Sequence, residues 1–508
     1  MFNRRSGGRL VPGPWIILVG AVLSGCATQP PHTAPPLATA AAWSVADDDK
    51  AALAPAEPAW WTRLNDHAID TLAPAALADS PTLAQALARV DEADANLGVN
   101  AARRLPALQA SLGASRARAI DGAQTNYATG ASLGLSLSWE VDLFGRVRGS
   151  IDSARHRLDA RNADADAVRL SLAARVADTV LALRGCRFSL AVLDDDIASR
   201  QVALELTRRK LTVGAAAAVD EARARSGLAA ARTALATRQQ QCSVHLNTLV
   251  ALSGRDATGV GALMEAPLRV KTSAKTSAKT SAKTSTNTSA NISPALPRYA
   301  EWLMPAAPKV KLALPATVLA RHPAVLAAGA ELAAAWADIA VARAERLPRL
   351  DLGAALSGQW LRAGRQGDAG WSFGPAFSMP LFDGGRGAAA VAAGQARYRV
   401  ALATLQGAVR DAARDVENAL AAIQSADTRL ATTREAVDAA QAAFDATDAM
   451  WRAGATSLFV LEDARRLLAS AQDDAIAAVR DSGQAWIALV LACGNSSIIS
   501  ESTPNETI

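Results

Sequence analysis

With 508 residues, half of them hydrophobic and only 4% aromatic, the chain has material for about two to four domains. Its apolar content is mostly alanine, which favours closely packed helices over a bulky globular core. The formal net charge of +5 loses its meaning once Arg4, Arg5 and Arg9, in a segment expected to be removed, and Lys271, Lys275, Lys279 and Lys283, in one low-complexity tract, are set aside. The balance then turns slightly negative, which speaks against nucleic acid as a partner.

Residues 1–25 read as a signal peptide, with a basic start, an apolar run from Trp15 to Leu23 and small residues at the end. That run is too short for a permanent membrane helix. It closes on Leu23-Ser24-Gly25-Cys26, which resembles the bacterial lipobox. The resemblance implies that Cys26 carries covalent lipid and becomes the new N-terminus, and that Ala27, standing where an aspartate would retain the protein inside, directs it to the outer membrane. Residues 26–79 form a lipid-anchored, largely extended arm rich in Pro, Ala and Thr, with Trp60, Trp61 and Leu64 as the point where it docks.

Residues 80–254 form the first of two repeats. Ser80 is placed to cap a helix that Pro81 opens and Pro106 ends. The period then changes from helical to alternating: Leu108, Ala110, Leu112 and Ala114 against Gln109, Ser111, Gly113 and Ser115, and, after a loop, Leu133, Leu135, Leu137 and Trp139 against Ser132, Gly134, Ser136 and Ser138. That is a hairpin with one apolar and one small polar face. From Arg146 the helical period returns, with Val147, Ile151, Ala154 and Leu158 and later Val168, Leu172, Val176 and Leu183 on one side. No proline interrupts residues 146–254, and Gly214 stands where a helix stops. The outgoing arm, about 65 residues, predicts a helix on the order of 100 Å long at about 1.5 Å per residue.

Residues 315–494 write the same unit again. Gly214 answers to Gly454, Arg146 to Arg386 and residues 250–254 (VALSG) to residues 490–494 (VLACG), all at an offset of 240; Pro81 answers to Pro323 and residues 104–108 to residues 346–350 at an offset of 242. A period this long is a duplicated domain. In the second copy Leu350, Leu352 and Ala354, then Trp371, Phe373, Phe377 and Met379, supply the alternating apolar face. Residues 255–314 connect the copies and include the repeated Lys-Thr-Ser-Ala tract, expected to be disordered; residues 495–508 are a polar tail.

Alternating strands of about 9–11 residues suit a transmembrane barrel, apolar outward and polar inward. Four strands do not close one, and an open edge cannot face lipid because its backbone groups go unpaired. Membrane-spanning strands therefore require several chains to share a barrel, and three chains supply twelve strands.

Two cysteines are placed symmetrically: Cys186 lies 28 residues before Gly214 and Cys242 lies 28 after it, while the second copy has Ala426 and Ser482 at the equivalent positions. Opposed across a hairpin, they are a candidate disulfide in an oxidising compartment; two separate buried thiols are the alternative. The five histidines show no metal-ligand spacing, and no phosphate loop or catalytic constellation is present. The expectation is a protein that is not an enzyme, with no metal and no cofactor beyond the lipid on Cys26.

The junctions Trp139-Glu140-Val141-Asp142-Leu143-Phe144-Gly145-Arg146 and Pro380-Leu381-Phe382-Asp383-Gly384-Gly385-Arg386, with the turn Gly454-Ala455-Thr456-Ser457-Leu458-Phe459-Val460-Leu461, resemble TolC-type outer-membrane efflux proteins, and the lipobox fits their NodT-like lipoprotein branch. The resemblance spans about residues 60–494. It implies a mainly α fold with a membrane β part: duplicated long antiparallel helical hairpins forming a periplasmic α-barrel, and four strands per chain in a homotrimeric, twelve-stranded outer-membrane β-barrel. It further implies an exit duct for small molecules, a periplasmic adaptor docked at the turns of Gly214, Gly454, Thr456 and Ser457, and an inner-membrane transporter of the resistance–nodulation–division class. Acidic aperture residues map to Asp220, Asp463 and the adjacent Glu462, while Val460 departs from the pattern; the alternative is that these carboxylates only favour a helix first turn. Residues 215–218, all alanine, replace the usual Ser or Thr at the first turn. A non-channel structural lipoprotein and a protein-secretion duct of the same fold are the competing readings.

Overall fold

The structure, a computed structural model, describes residues 40, 42–44, 59–121, 124–265, 311–312, 315–361, 367–494 and 498–499. The expected signal peptide, Cys26, most of the N-terminal arm, the Lys-Thr-Ser-Ala tract and most of the C-terminal tail lie outside the described residues.

A 3-10 turn, Trp60–Leu64, leads into α1 (His67–Asp79) and α2 (Pro81–Ala102). The caps are local. The Ala68 amide donates to Asp66 Oδ1 at 2.8 Å, and the Leu83 amide donates to Ser80 Oγ at 3.4 Å, with Pro81 at the first helical position where no amide is needed. Strands β1 (Ala107–Asp121) and β2 (Gln124–Val141) follow, then the long helix α3 (Arg146–Thr212), α4 (Ala218–Ser253) and α5 (Ala257–Glu265). After the short β3 (Lys311–Leu312) and α6 (Pro315–Leu319), the second repeat runs through α7 (Pro323–Ala344), β4 (Arg349–Leu361), β5 (Gly367–Ser378), α8 (Arg386–Arg452) and α9 (Leu458–Ala492), and β6 (Ile498–Ile499) pairs with β3. The duplication survives in length: α3 and α8 are 67 residues each, and α4 and α9 are 36 and 35.

The chain divides into two compact units, and each draws on both repeats. Long helices pack against whatever runs beside them, so contacts sort by position along a helix rather than by repeat. The first unit holds residues 87–163 and 326–408. Its centre is a four-stranded antiparallel sheet in the order β1-β2-β4-β5. Both strand-to-helix junctions are tied by an aspartate. Asp142 accepts the amides of Val147 and Arg148, each at 3.0 Å, and Asp383 accepts those of Gly385 at 2.9 Å and Gly387 at 2.7 Å. The Gly387 amide above all, then that of Gly385, holds the Asp383 carboxyl below its ordinary pKa. Helix α7 lies against α3, with Ser153 Oγ donating to Asp338 at 2.6 Å and Arg161 paired with Glu331 at 3.0 Å, and against α8 through Trp336 and Tyr398. Its counterpart α2 buries only Leu83 and Ala86, and leaves Val99 exposed.

The second unit holds residues 38–86, 164–325 and 409–508. Here α3, α4, α8 and α9 share a core of Ile197, Leu204, Leu228, Trp451, Leu458 and Leu461. Trp60 and Trp61 are buried, and Trp60 stacks at 5.7 Å on Trp486. Asp66, fully buried, accepts both Arg184 Nε at 2.5 Å and Nη2 at 2.8 Å, so the arm is pinned by an ion pair as well as by tryptophan.

Candidate functional site

Two places carry the function: the faces of the sheet and the tips of the helical hairpins. In the sheet, register decides which side chains share a face. Leu112 stands opposite Leu133; Leu135 stands opposite Leu356, and Leu356 opposite Trp371; Leu137 stands opposite Ala354, and Ala354 opposite Phe373. One face is therefore apolar across all four strands, and nothing among the described residues covers it: Leu112 is 82% exposed, Trp371 81% and Phe373 69%. Between Leu350 and Trp360 on β4 this face extends about 33 Å along the strand at about 3.3 Å per residue, or about 25 Å of height at a tilt of about 40°. The opposite face carries Ser111, Ser136, Gly353, Ser357, Ser372 and Gly374, joined in the same register. Among the described residues, β1 and β5 each pair along one side only.

The strands are longer than the expected 9–11 residues: β1 has 15 and β2 has 18. The reason is visible in composition. Above the row Ala114–Ala131 the ladder continues through Arg116 opposite Thr129 and Arg118 opposite Tyr127, with the Arg116 guanidinium 5.3 Å from the Tyr127 ring centre. The hairpin carries on as a polar ribbon after the apolar band has ended.

The tips are built alike. At the first turn the Ala215 amide donates to the Lys210 carbonyl at 2.7 Å and Gly214, at φ 71°, to Leu211 at 3.0 Å; at the second, Ala455 donates to Met450 at 2.8 Å and Gly454, at φ 78°, to Trp451 at 3.0 Å. Both are Schellman closures, in which a positive φ lets glycine satisfy the last carbonyls of the helix. Each following helix starts without a side-chain cap from Ala217 or Ser457. Thr456 is half-buried, and Val213, Val219, Phe459 and Val460 are exposed apolar side chains around the two turns. Lys210 connects the tips: its Nζ lies 4.7 Å from the Trp451 ring centre and donates to the Trp451 carbonyl at 3.3 Å.

The three acidic residues singled out from the sequence do not share one environment. Asp220, in the first turn of α4, accepts the Ala217 amide at 3.2 Å, supplying the cap that an alanine at the helix start lacks. Asp463 pairs with Arg466 one turn on. Glu462 pairs across the bundle with Arg200 and along its own helix with Arg465 at 2.6 Å; Arg200 also binds Asp196 at 2.8 Å. Burial holds the Arg465 guanidinium below its usual pKa, against the attraction of Glu462, and its face lies 5.7 Å from the Phe444 ring. The Arg200–Glu462 pair joins residues 262 apart in sequence, and no local pattern announces it. Cys186 and Cys242 are joined in a disulfide with Cα atoms 5.6 Å apart, linking α3 to α4. Cys493 is a buried thiol whose pKa burial pushes up to about 12.

A family model described as outer membrane efflux protein matches residues 72–255 and 314–495, one match per repeat. Among curated proteins, the pyoverdine export outer membrane protein OpmQ of Pseudomonas putida is 30% identical over 93% of this chain and 95% of its own, and nodulation protein T of Rhizobium leguminosarum bv. viciae is 28% identical over 93% and 91%. Among solved structures, a membrane protein from Pseudomonas aeruginosa superposes with a TM-score of 0.75 at 26% identity, covering 91% of this chain and 99% of that one. The CmeC outer membrane channel of Campylobacter jejuni, at 18% identity, shares the fold with a TM-score of 0.76 over 92% and 94%. The chain belongs to the outer membrane efflux protein family. It is an outer-membrane exit duct, and its relatives are outer-membrane components of efflux pumps.

Proposed function

We propose that three copies of this chain form one passive duct, anchored by lipid on Cys26, that conducts small molecules delivered by a periplasmic adaptor and an inner-membrane transporter of the resistance–nodulation–division class. The observation that carries this reading is a sheet that, among the described residues, has an uncovered apolar face and two unpaired edges. Such a sheet is unstable alone in water and in lipid, because water meets the apolar side chains and lipid meets the open backbone. Closure by further copies removes both costs and leaves the serine and glycine face lining an aqueous lumen. A scaffold lipoprotein has no use for such a sheet. The exposed apolar residues around the turns, Phe459 above all, fit a docking partner at the tips. No bond is made or broken; the driving energy comes from the transporter.

At the aperture, Asp220 and Asp463 are the carboxylates assigned to an anionic ring around the channel axis: Glu462 is held across the bundle by Arg200 as well as by Arg465, whereas Asp463 pairs along its own helix with Arg466. Reconstitution into planar bilayers tests the reading. The protein gives discrete conductance steps, and joint replacement Asp220→Ala with Asp463→Ala raises the conductance. An unchanged conductance removes the gate assignment, and absence of any conductance in either protein contradicts the duct.

A further inference from the structure

The two β-hairpins turn at the end of the sheet away from the helices, since α2, α3, α7 and α8 all join the strands at the other end. With the helical tunnel in the periplasm, these turns face the outside. On the face that meets lipid, the apolar band stops at the row of Ala114, Ala131 and Trp360. Two further rows follow on that face, Arg116 opposite Thr129 and Arg118 opposite Tyr127, and both arginines are exposed. At about 3.3 Å per residue and a tilt of about 40°, Arg116 stands about 5 Å and Arg118 about 10 Å above the end of the band. The headgroup layer of a bilayer is about 5–8 Å deep on each side. Arg116 therefore lies within that layer and Arg118 at its outer margin.

The charge on this face has one sign. No carboxylate shares it among the described strand residues: Asp121 and Asp368 stand on the polar face, in register with Gln124 and Gln359. The two turns with their flanks, residues 115–129 and 358–370, hold four arginines, Arg116, Arg118, Arg362 and Arg365, against those two aspartates and no lysine; Arg362 and Arg365 lie outside the described residues. The choice of arginine is informative, because its planar N–H fork matches a phosphate in a way that the point charge of lysine does not. Arg116 lies over the Tyr127 ring. Such stacking engages the face of the guanidinium and leaves the N–H groups in its plane for an acceptor. Tyr127 and Trp360, both exposed, are the aromatic anchors expected at a membrane boundary.

Resting on the duct reading above, we propose that Arg116 and Arg118 bind the phosphate groups of the outer-leaflet glycolipid, lipopolysaccharide, on the outward face of the first hairpin. Two cations about 7 Å apart along one strand suit a headgroup that carries more than one phosphate, and the site continues the lipid-facing band at the level where such groups lie.

Bound lipid and thermal stability of the full-length protein test this. Particles extracted from outer membranes in mild detergent are assayed for lipopolysaccharide. The same particles, stripped of lipid, are melted in phosphatidylcholine vesicles alone and with added lipopolysaccharide, dephosphorylated lipopolysaccharide or phosphatidylglycerol. The parent carries lipopolysaccharide, and its midpoint rises with the phosphorylated glycolipid and not with the other two. Arg116→Gln with Arg118→Gln lowers the retained glycolipid by about tenfold and removes the rise, while conductance and particle mass stay at the parent's values. Equal retention by parent and variant overturns the site, as does a rise that survives dephosphorylation. An equal rise with phosphatidylglycerol overturns the choice of partner. All three results leave the duct standing while the parent conducts; a parent without conductance contradicts the duct instead. Should the double variant fail to accumulate, native against dephosphorylated glycolipid on the parent decides alone.

Discussion

At Asp66 one carboxylate, fully buried, caps α1 and pairs with the nearly buried Arg184. Removing one partner of such a pair strands the other charge, at a cost of about 3–5 kcal/mol. Asp66→Ala accordingly lowers the thermal midpoint of the extracted protein markedly, and a melt coinciding with the parent's rejects the assignment. His322 is the second residue with a clear consequence. Burial holds its pKa below 6.5, against the attraction of Asp415, and its Nδ1 has no hydrogen-bond partner among the described residues. The folded state thus resists protonation while the unfolded chain accepts it near the ordinary histidine value. Stability is complete above that value and is lost as pH falls from it toward the depressed folded pKa. Melting temperatures recorded between pH 7.5 and 5.5 fall in the parent and fall less in His322→Gln; parallel curves contradict this. Neither site was legible in the sequence. Asp66 and Arg184 are 118 residues apart, and nothing in the neighbourhood of His322 marks its ring as half-buried.

Elements were far more legible. The helical hairpins are written in apolar spacing, in the absence of proline and in a turn glycine, and the strands in strict alternation, because these signals are local. What escaped was the continuation of β1 and β2 beyond the apolar band, since a polar ribbon has no hydrophobic period to follow. The unequal fates of α2 and α7, similar in position and both 22 residues long, also depend on packing partners rather than pattern. Two predictions belong here. An arginine at Leu135, on the apolar face, costs about 2–4 kcal/mol near the membrane midplane, and depletes assembled protein in the outer membrane. Ser136→Arg, one residue on and facing the other side, accumulates normally and reduces conductance. Equal accumulation of the two variants refutes the assignment of faces. The disulfide is the second case. Closing a 56-residue separation contributes on the order of 4 kcal/mol by restricting the unfolded chain. A non-reducing peptide map contains the Cys186–Cys242 linked peptide, and Cys186→Ser with Cys242→Ser melts at a lower temperature; absence of the linked peptide removes the bond from the account.

For the whole molecule the duplication is the governing fact. Each repeat contributes one β-hairpin and one long helical hairpin, and among the described residues neither repeat, nor the two together, covers its own apolar strands. The sheet that results has one face suited to lipid, one suited to water and two edges suited to nothing but another strand. That requirement follows from backbone hydrogen bonding in a medium without water. The most direct measurement is the mass of the particle extracted from the outer membrane in mild detergent. Three protomers per particle is the predicted result. A stable, folded monomer contradicts the account, because four strands do not close a barrel.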